Sequence, residues 1–269
     1  MEKNTYYFSF YHKPSCLVKR PEGEGGPRLT PAGKMAIIID MRYRDLKEGI
    51  FLSRPNRFEA YVELEGAREL VHVKNTGRCR ELLLEGARVV LSGGGGARRK
   101  TRYDLVAVRK RGLGLVNIDS QAPNKVTEEW LRGGRSCFRD LTLIKPEYSY
   151  GDSRFDFYLE RGKEKILMEV KGCTLEKEGT GYFPDAPTAR GTKHLRELAA
   201  AAKKGFSCYL AFVIAMPAVK TVLPNNETDP EFAGAFQRAR AAGVKILLLR
   251  CRVRKDSLDI TDWEEPPQK

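Results

Sequence analysis

Apolar and polar residues follow one pattern in the first half of this chain and another in the second, and the change divides the molecule. Between about Leu46 and Asn117 the apolar positions come in short runs broken by turn residues. FEAYVELEG alternates through Phe58, Tyr61, Val62 and Leu64, Gly66 turns the chain, and RELVHV returns. An NTG turn follows at 75–77, then a short helical piece at CRELLLEG, a strand at RVVLS, a loop, and a strand at RYDLVAVRK. Roughly five strands with one short helix predict a small barrel of the OB-fold type.

Beyond Pro123 the apolar spacing lengthens. NKVTEEWL (124–131) reads as a helix with Asn124 as its cap, and a longer helix spans about 188–204, with Leu195, Leu198, Ala199 and Ala202 on one stripe. SCYLAFVIA (207–215) and VKILLLRCRV are continuous apolar runs, the pattern of strands buried on both faces. Between them DPEFAGAFQRARAAG reads as a helix capped by Asp229 and stopped by Gly243. Alternating strands and helices predict a mixed α/β sheet. The expected organisation is a barrel over residues 44–119, an α/β domain over 120–255 and a tail over 256–269. Residues 1–43, with the Gly/Pro-rich KRPEGEGGPRLTPAGK, are expected to form a flexible extension.

The most informative segment is RFDFYLERGKEKILMEVK, residues 154–171. A two-residue type II′ turn at Gly162-Lys163 pairs Arg161 with Glu164, Leu159 with Ile166, Phe157 with Met168 and Asp156 with Glu169. Alternation then puts Phe155, Phe157, Leu159, Ile166, Met168 and Val170 on one face, and Asp156, Tyr158, Leu167, Glu169 and Lys171 on the other. Like charges opposite each other destabilise a sheet. A divalent cation, Mg²⁺ or Mn²⁺, held by Asp156 and Glu169 offsets that cost, and Lys171 on the same face can stabilise charge developing on a phosphoryl group. The plain alternative is a solvated strand face carrying a Lys–Glu pair.

The net charge of +13, from 48 Lys and Arg against 35 Asp and Glu, favours a polyanionic partner, mainly nucleic acid. Six scattered cysteines and three histidines show no zinc-site spacing, so reduced thiols in a cytoplasmic, soluble protein are expected. The chain has neither an apolar run long enough to span a membrane nor a signal-peptide core at its start, so no membrane association is expected.

The string GYFPDAPTARGTKHLREL (181–198), the NTG at 75–77 and the RFDF…MEVK hairpin together resemble the sugar fermentation stimulation protein family over roughly residues 45–250. The resemblance implies DNA binding and an OB-fold joined to a PD-(D/E)xK nuclease-like domain. It implies that Asp156, Glu169 and Lys171 match the nuclease signature, although Phe155 stands where that signature has proline. It also implies a further catalytic carboxylate at Glu129, with Glu147 as a competitor.

Arg190 and His194 stand four apart on one helix face, and Arg190 and Lys193 near its start are candidate phosphate contacts. His194 is either a substrate-side acid/base or a structural hydrogen-bonding group. Tyr182 and Phe183 either stack on a base or plug the sheet edge. GGGGARRKTR (93–102) lacks the GK[ST] ending of a P-loop and reads as a flexible basic loop whose Arg98, Arg99, Lys100 and Arg102 can follow a phosphate backbone. Asn75 in the NTG turn, with Lys74, Arg78 and Arg80 around it, extends that surface. The expected function is metal-dependent phosphodiester hydrolysis on DNA. The rivals are a non-cleaving DNA-binding regulator of sugar-utilisation genes and an RNA-processing nuclease. Sheets of this kind often pair, which makes a homodimer an expected assembly.

Overall fold

The structure, a computed structural model, describes residues 41–75, 77–94 and 99–267. The first half forms strands β1 (Lys47–Ser53), β2 (Glu59–Leu64), β3 (Ala67–Val73), β4 (Arg88–Gly93), β5 (Tyr103–Lys110) and β6 (Gly114–Asn117). They lie in the order β3-β2-β1-β4-β5-β6, and a parallel pairing of His72 with Asp104 and Val73 with Leu105 joins β3 to β5. That contact closes a five-stranded barrel, the OB topology expected from the alternation. Inward positions such as Val62, Val71, Leu91 and Leu105 are fully buried. CRELLLEG is not a helix: the Leu83 N–H reaches the Cys79 carbonyl in a single turn that buries Leu82 and Leu83, and the chain then turns again at Gly86. Two buried leucines and one turn suffice to plug the barrel end, and a segment this short lacks the length to propagate a helix.

The second half consists of α1 (Ala122–Arg132), β7 (Leu143–Tyr150), β8 (Ser153–Arg161), β9 (Glu164–Cys173), β10 (Leu175–Lys177), β11 (Thr180–Phe183), α2 (Ala189–Ala202), β12 (Ser207–Ile214), β13 (Val222–Pro224), α3 (Pro230–Ala241), β14 (Lys245–Val253) and β15 (Leu258–Glu264). The main sheet runs β15-β14-β12-β9-β8-β7, with β9, β12 and β14 parallel; a small sheet runs β10-β11-β13. Val126 and Trp130 of α1 cluster with Phe157, Met168 and Leu247. Leu195 and Leu198 of α2 and Phe232 and Phe236 of α3 cluster with Leu167, Phe212 and Leu248. Apolar packing on both faces explains why β12 and β14 are unbroken hydrophobic runs. Phe183 is half-buried and packs against Phe212 and Phe232, at ring-centroid distances of 5.7 and 5.2 Å, in line with the plug reading.

Three boundaries differ from expectation. The segment at 256–269 is not a tail, because β15 pairs antiparallel with β14 from Val253↔Leu258 to Leu248↔Glu264. Apart from Trp263 its solvent-facing residues are polar (Asp259, Thr261, Asp262, Glu264), which hides an edge strand from hydropathy. Residues 1–40 lie outside the described residues, but Met41 and Tyr43, assigned to the extension, are buried, and the Tyr43 N–H donates to the Asp256 carbonyl at 2.7 Å. Helix α1 begins after Gln121, so Asn124 sits inside its first turn and its side chain is directed elsewhere.

Where barrel meets sheet, Asp119 is buried and collects three donors. Its Oδ2 accepts from Lys74 Nζ at 2.8 Å and from the Tyr43 hydroxyl at 3.1 Å, and its Oδ1 accepts the Gln121 N–H at 2.9 Å. Burial, followed by the Asp119 charge, pushes the Tyr43 phenol upward, so it stays a donor at all ordinary pH. Asp119→Ala leaves the Lys74 ammonium and the Tyr43 hydroxyl without this acceptor and is expected to cost about 3 kcal/mol in urea unfolding. A loss below about 1 kcal/mol would show that the network does not hold the junction. Among the described residues no helix is long and apolar enough to cross a membrane.

Candidate functional site

The hairpin carries the site. Its ladder runs from Arg161↔Glu164 to Phe157↔Met168, as the turn chemistry predicts. Positive φ falls on Gly162, at 57°, and not on Lys163, which suits a type II′ rather than a type I′ turn. Past Phe157 the expected Asp156–Glu169 pairing is not made. On its other edge β9 keeps its pairing with β12 throughout, from Ile166↔Ser207 to Cys173↔Ile214, so only the edge facing β8 is opened. Asp156 fills the gap with its side chain: Oδ2 accepts the Val170 N–H at 2.7 Å and Oδ1 accepts from Asn124 Nδ2 at 2.7 Å. The irregularity extends to the neighbouring strand, where Glu147 opposite Asp156 has φ 52°. Phe155 accordingly leaves the face of Phe157 and packs toward α2, with its ring centroid 6.1 Å from that of His194. The strict alternation expected for Phe155 therefore fails at the splayed position.

Glu169 is 1% exposed and His194 is 4% exposed. Glu169 Oε1 contacts both the His194 imidazole Nδ1 and the Lys171 ammonium. Its Oε2 is buried without a hydrogen-bond partner among the described residues. Burial works to raise the Glu169 carboxyl, but the His194 hydrogen bond and the Lys171 charge outweigh it and hold the group below the ordinary glutamate value. Asp156 goes the other way: burial first, and then the nearby Glu169 charge, push its carboxyl above the ordinary aspartate value. Two adjacent carboxylates with opposed shifts, one bearing an unused buried oxygen, form a site short of positive charge.

The structure thus gathers Asp156, Glu169, Lys171 and His194, and adds Asn124, which sequence reasoning placed at a helix cap. Its position one turn inside α1 could have signalled a side chain free to point at the sheet, but nothing in the sequence names Asp156 as its partner. Other expected site residues are elsewhere. Glu129 Oε2 accepts the Met41 N–H at 3.2 Å. Five residues beyond Asn124, Glu129 is rotated about 140° round the helix, away from the carboxylates. Glu147 is exposed beside Arg154. Lys193 donates to the Asp152 carbonyl at 2.7 Å, and Arg190 is exposed in the first turn of α2. His194 is buried with its Nδ1 against Glu169.

On the barrel, Arg99 donates to Asp104 at 3.2 Å and Lys100 to Glu59 at 3.2 Å, so these two of the four basic-loop cations are ion-paired on the surface. Arg102 lies 5.2 Å from the Tyr103 ring, and Arg98 lies outside the described residues. Asn75 is committed to holding its own turn. Its Oδ1 accepts the Gly77 N–H at 2.7 Å and its Nδ2 donates to the Ile118 carbonyl at 2.8 Å. A Cβ on Gly77 would come within 2.8 Å of both Asn75 Oδ1 and Asp185 Oδ2, so any side chain there must push aside two acceptors that hold this turn. Asp185 Oδ2 accepts the Arg78 N–H at 3.1 Å, tying the loop before α2 to the barrel. Between them runs a cleft of about 320 Å³, lined by Gly77, Asp185, Thr188, Pro123 and Gly172 among others. Two of its lining residues, Pro123 and Gly172, are chain neighbours of Asn124 and Lys171, while the acidic cluster itself is not part of its lining. Burial pushes the Cys79, Cys173 and Cys208 thiols up to about 12, which keeps these three protonated at ordinary pH.

Fold and site together define an OB barrel joined to a mixed α/β sheet with a buried acid–acid–lysine cluster on its central hairpin. The profile of the "SfsA N-terminal OB domain" matches residues 52–118, and that of the "Sugar fermentation stimulation protein RE domain" matches residues 121–257. The chain belongs to the sugar fermentation stimulation protein family. It is 52% identical over 223 residues to a sugar fermentation stimulation protein homolog of Desulfitobacterium hafniense, covering 83% of this chain and 96% of that one. The Clostridium beijerinckii homolog is 48% identical over 223 residues, covering 83% and 98%. Among solved structures, Pyrococcus furiosus SfsA in complex with Ca²⁺ aligns with a TM-score of 0.74 at 28% identity, covering 83% of this chain and 97% of that one.

Proposed function

We propose that this protein is a metal-dependent nuclease of PD-(D/E)xK type that binds DNA and hydrolyses its phosphodiester bonds at Asp156, Glu169 and Lys171. The observation that carries the reading is the unpartnered Glu169 Oε2, buried beside a second carboxylate whose ionisation burial and that neighbour oppose. A hard divalent cation, Mg²⁺ or Mn²⁺, suits that donor set, with Asp156 and Glu169 as its ligands. Ca²⁺ in the Pyrococcus furiosus relative supports the same choice of ion class. When bound, the ion would polarise a phosphoryl oxygen and activate water. The protein's own groups orient the site. Asn124 and the Val170 N–H fix the Asp156 carboxylate, His194 fixes Glu169, and the Lys171 ammonium supplies positive charge where negative charge develops on the phosphate. The net charge of +13 suits a polyanionic substrate.

Purified protein incubated with labelled single- and double-stranded DNA and RNA, with Mn²⁺ or with EDTA, tests the reading. DNA cleavage that EDTA stops is expected. Cleavage of RNA alone would select the RNA-processing alternative, and tight DNA binding without any cleavage would select the non-cleaving regulator. Asn124→Ala is expected to weaken Mn²⁺ binding about 10- to 100-fold by freeing the Asp156 carboxylate, as titration calorimetry would read. Unchanged affinity would remove Asn124 from the site.

A further inference from the structure

A second cavity, of about 480 Å³, opens on the barrel beside the cleft; its lining includes Arg54, Arg57, Arg78, Arg80 and Leu83. Gly77 and Ala186 line both spaces, so the groove and the cleft are neighbours that share a wall. The four arginines divide into two roles. The Arg54 guanidinium is committed to the fold, donating to the carbonyls of Gly77, Arg78, Arg57 and Asn75 at 2.6–3.0 Å. It ties together the two loops that carry the others. Arg57, Arg78 and Arg80 are exposed, and among the described residues none of the three makes an ion pair. Three unneutralised cations facing one groove contrast with the paired Arg99 and Lys100 of the neighbouring loop. Beside them Phe58 is 44% exposed, with the Arg57 guanidinium 4.8 Å from its ring centroid. An exposed ring backed by a guanidinium gains from an unpaired base, whereas the bases of a duplex offer it no free face.

We infer that this arginine groove binds the backbone of single-stranded nucleic acid, with Phe58 stacking on a base. The inference rests on the nuclease reading and adds to it the strandedness of the substrate and the surface that holds it. Asp185, at the junction of the two spaces, is engaged by the backbone N–H groups of Arg78 and Cys79.

The test is fluorescence anisotropy with a labelled oligothymidylate in EDTA, so that binding is read without cleavage. It compares wild type, the triple variant Arg57→Gln/Arg78→Gln/Arg80→Gln, and Phe58→Ala, all of which change exposed side chains. The triple variant is expected to lose about tenfold or more in affinity and to flatten the slope of log affinity against log salt by about 2, at roughly 0.7 per phosphate contact. Phe58→Ala is expected to lose about fivefold or more with the slope unchanged. Equal binding by wild type and triple variant overturns the groove while leaving the nuclease reading intact. A duplex competing as well as the single strand, or polyglutamate displacing it at equal charge, overturns the strand as its occupant. Wild type that binds no nucleic acid overturns both readings.

Discussion

Lys171→Ala is expected to lower metal-dependent cleavage by about 100- to 1000-fold while leaving strand affinity, measured in EDTA, within about twofold of wild type. The ammonium sits on Glu169 at the edge of the acidic pair, where a phosphate between the carboxylates and Lys171 would gain its charge in the transition state. The binding groove is built from other residues, so ground-state affinity does not depend on Lys171. The magnitude is that of removing one preorganised donor from a developing negative charge. Cleavage that persists at the wild-type rate in purified Lys171→Ala would place the chemistry elsewhere.

The second large effect is on stability, and the two carboxylates move it in opposite directions. Glu169→Gln removes the negative charge from beneath Lys171 and His194 in a site where the Glu169 side chain is only 2% exposed. Leaving a largely buried ammonium without its counter-charge is expected to cost about 3 kcal/mol. In a chain of this size that lowers the melting temperature by about 6–12 °C. Asp156→Asn is expected to raise metal-free stability by about 0.5–1 kcal/mol. It deletes a charge that burial and Glu169 oppose, and the amide can still accept from Val170 if Asn124 turns its own oxygen inward.

The pH dependence follows from the same shifts. The folded Glu169 carboxyl lies below its unfolded value near 4.5, so its contribution is complete above that pH and is lost as the pH falls through the lowered folded value. The gap between wild type and Glu169→Gln in EDTA should therefore close in acid below about pH 4.5. The folded Asp156 carboxyl lies above its unfolded value near 3.8, so its destabilisation sets in as the pH rises past that point. The advantage of Asp156→Asn should then disappear in acid. A parallel pH profile for all three proteins, in thermal melts from pH 3 to pH 7, would remove both carboxylates as the source of the effect.

Much of this was legible in the chain, and the parts that were not share a cause. Period-two alternation marked β2–β5, and unbroken apolar runs marked β12 and β14, because burial on one face or two writes itself directly into hydropathy. Asp229 and Gly243 bounded α3 as predicted, with the Asp229 side chain accepting the Phe232 N–H and Gly243 at φ 95°. Edge strands β7 and β15 were hidden because an edge strand in contact with solvent need not be apolar. The hairpin turn fixed register near Gly162, but the splay at Asp156 goes with its side chain accepting from the Val170 N–H and from Asn124, a contact with a helix 32 positions away. The same limit applied to Glu129, Asn75 and the basic loop. Residue type showed what each could bind, and only the fold showed that Met41, Ile118 and Asp104 had already engaged Glu129, Asn75 and Arg99. The groove arginines 57, 78 and 80 come from two separate loops and become one surface only when Arg54 draws those loops together.

The most direct measurement follows a 5′-labelled single-stranded DNA in Mn²⁺ with wild type and Asp156→Asn side by side. The variant is chosen because its fold should be at least as stable as the parent's. Cleavage by wild type, stopped by EDTA and absent from a folded Asp156→Asn that still binds the strand, is the expected result. Equal cleavage by both proteins, or strand binding by both with cleavage by neither, would contradict a metal-dependent hydrolytic centre at Asp156 and Glu169.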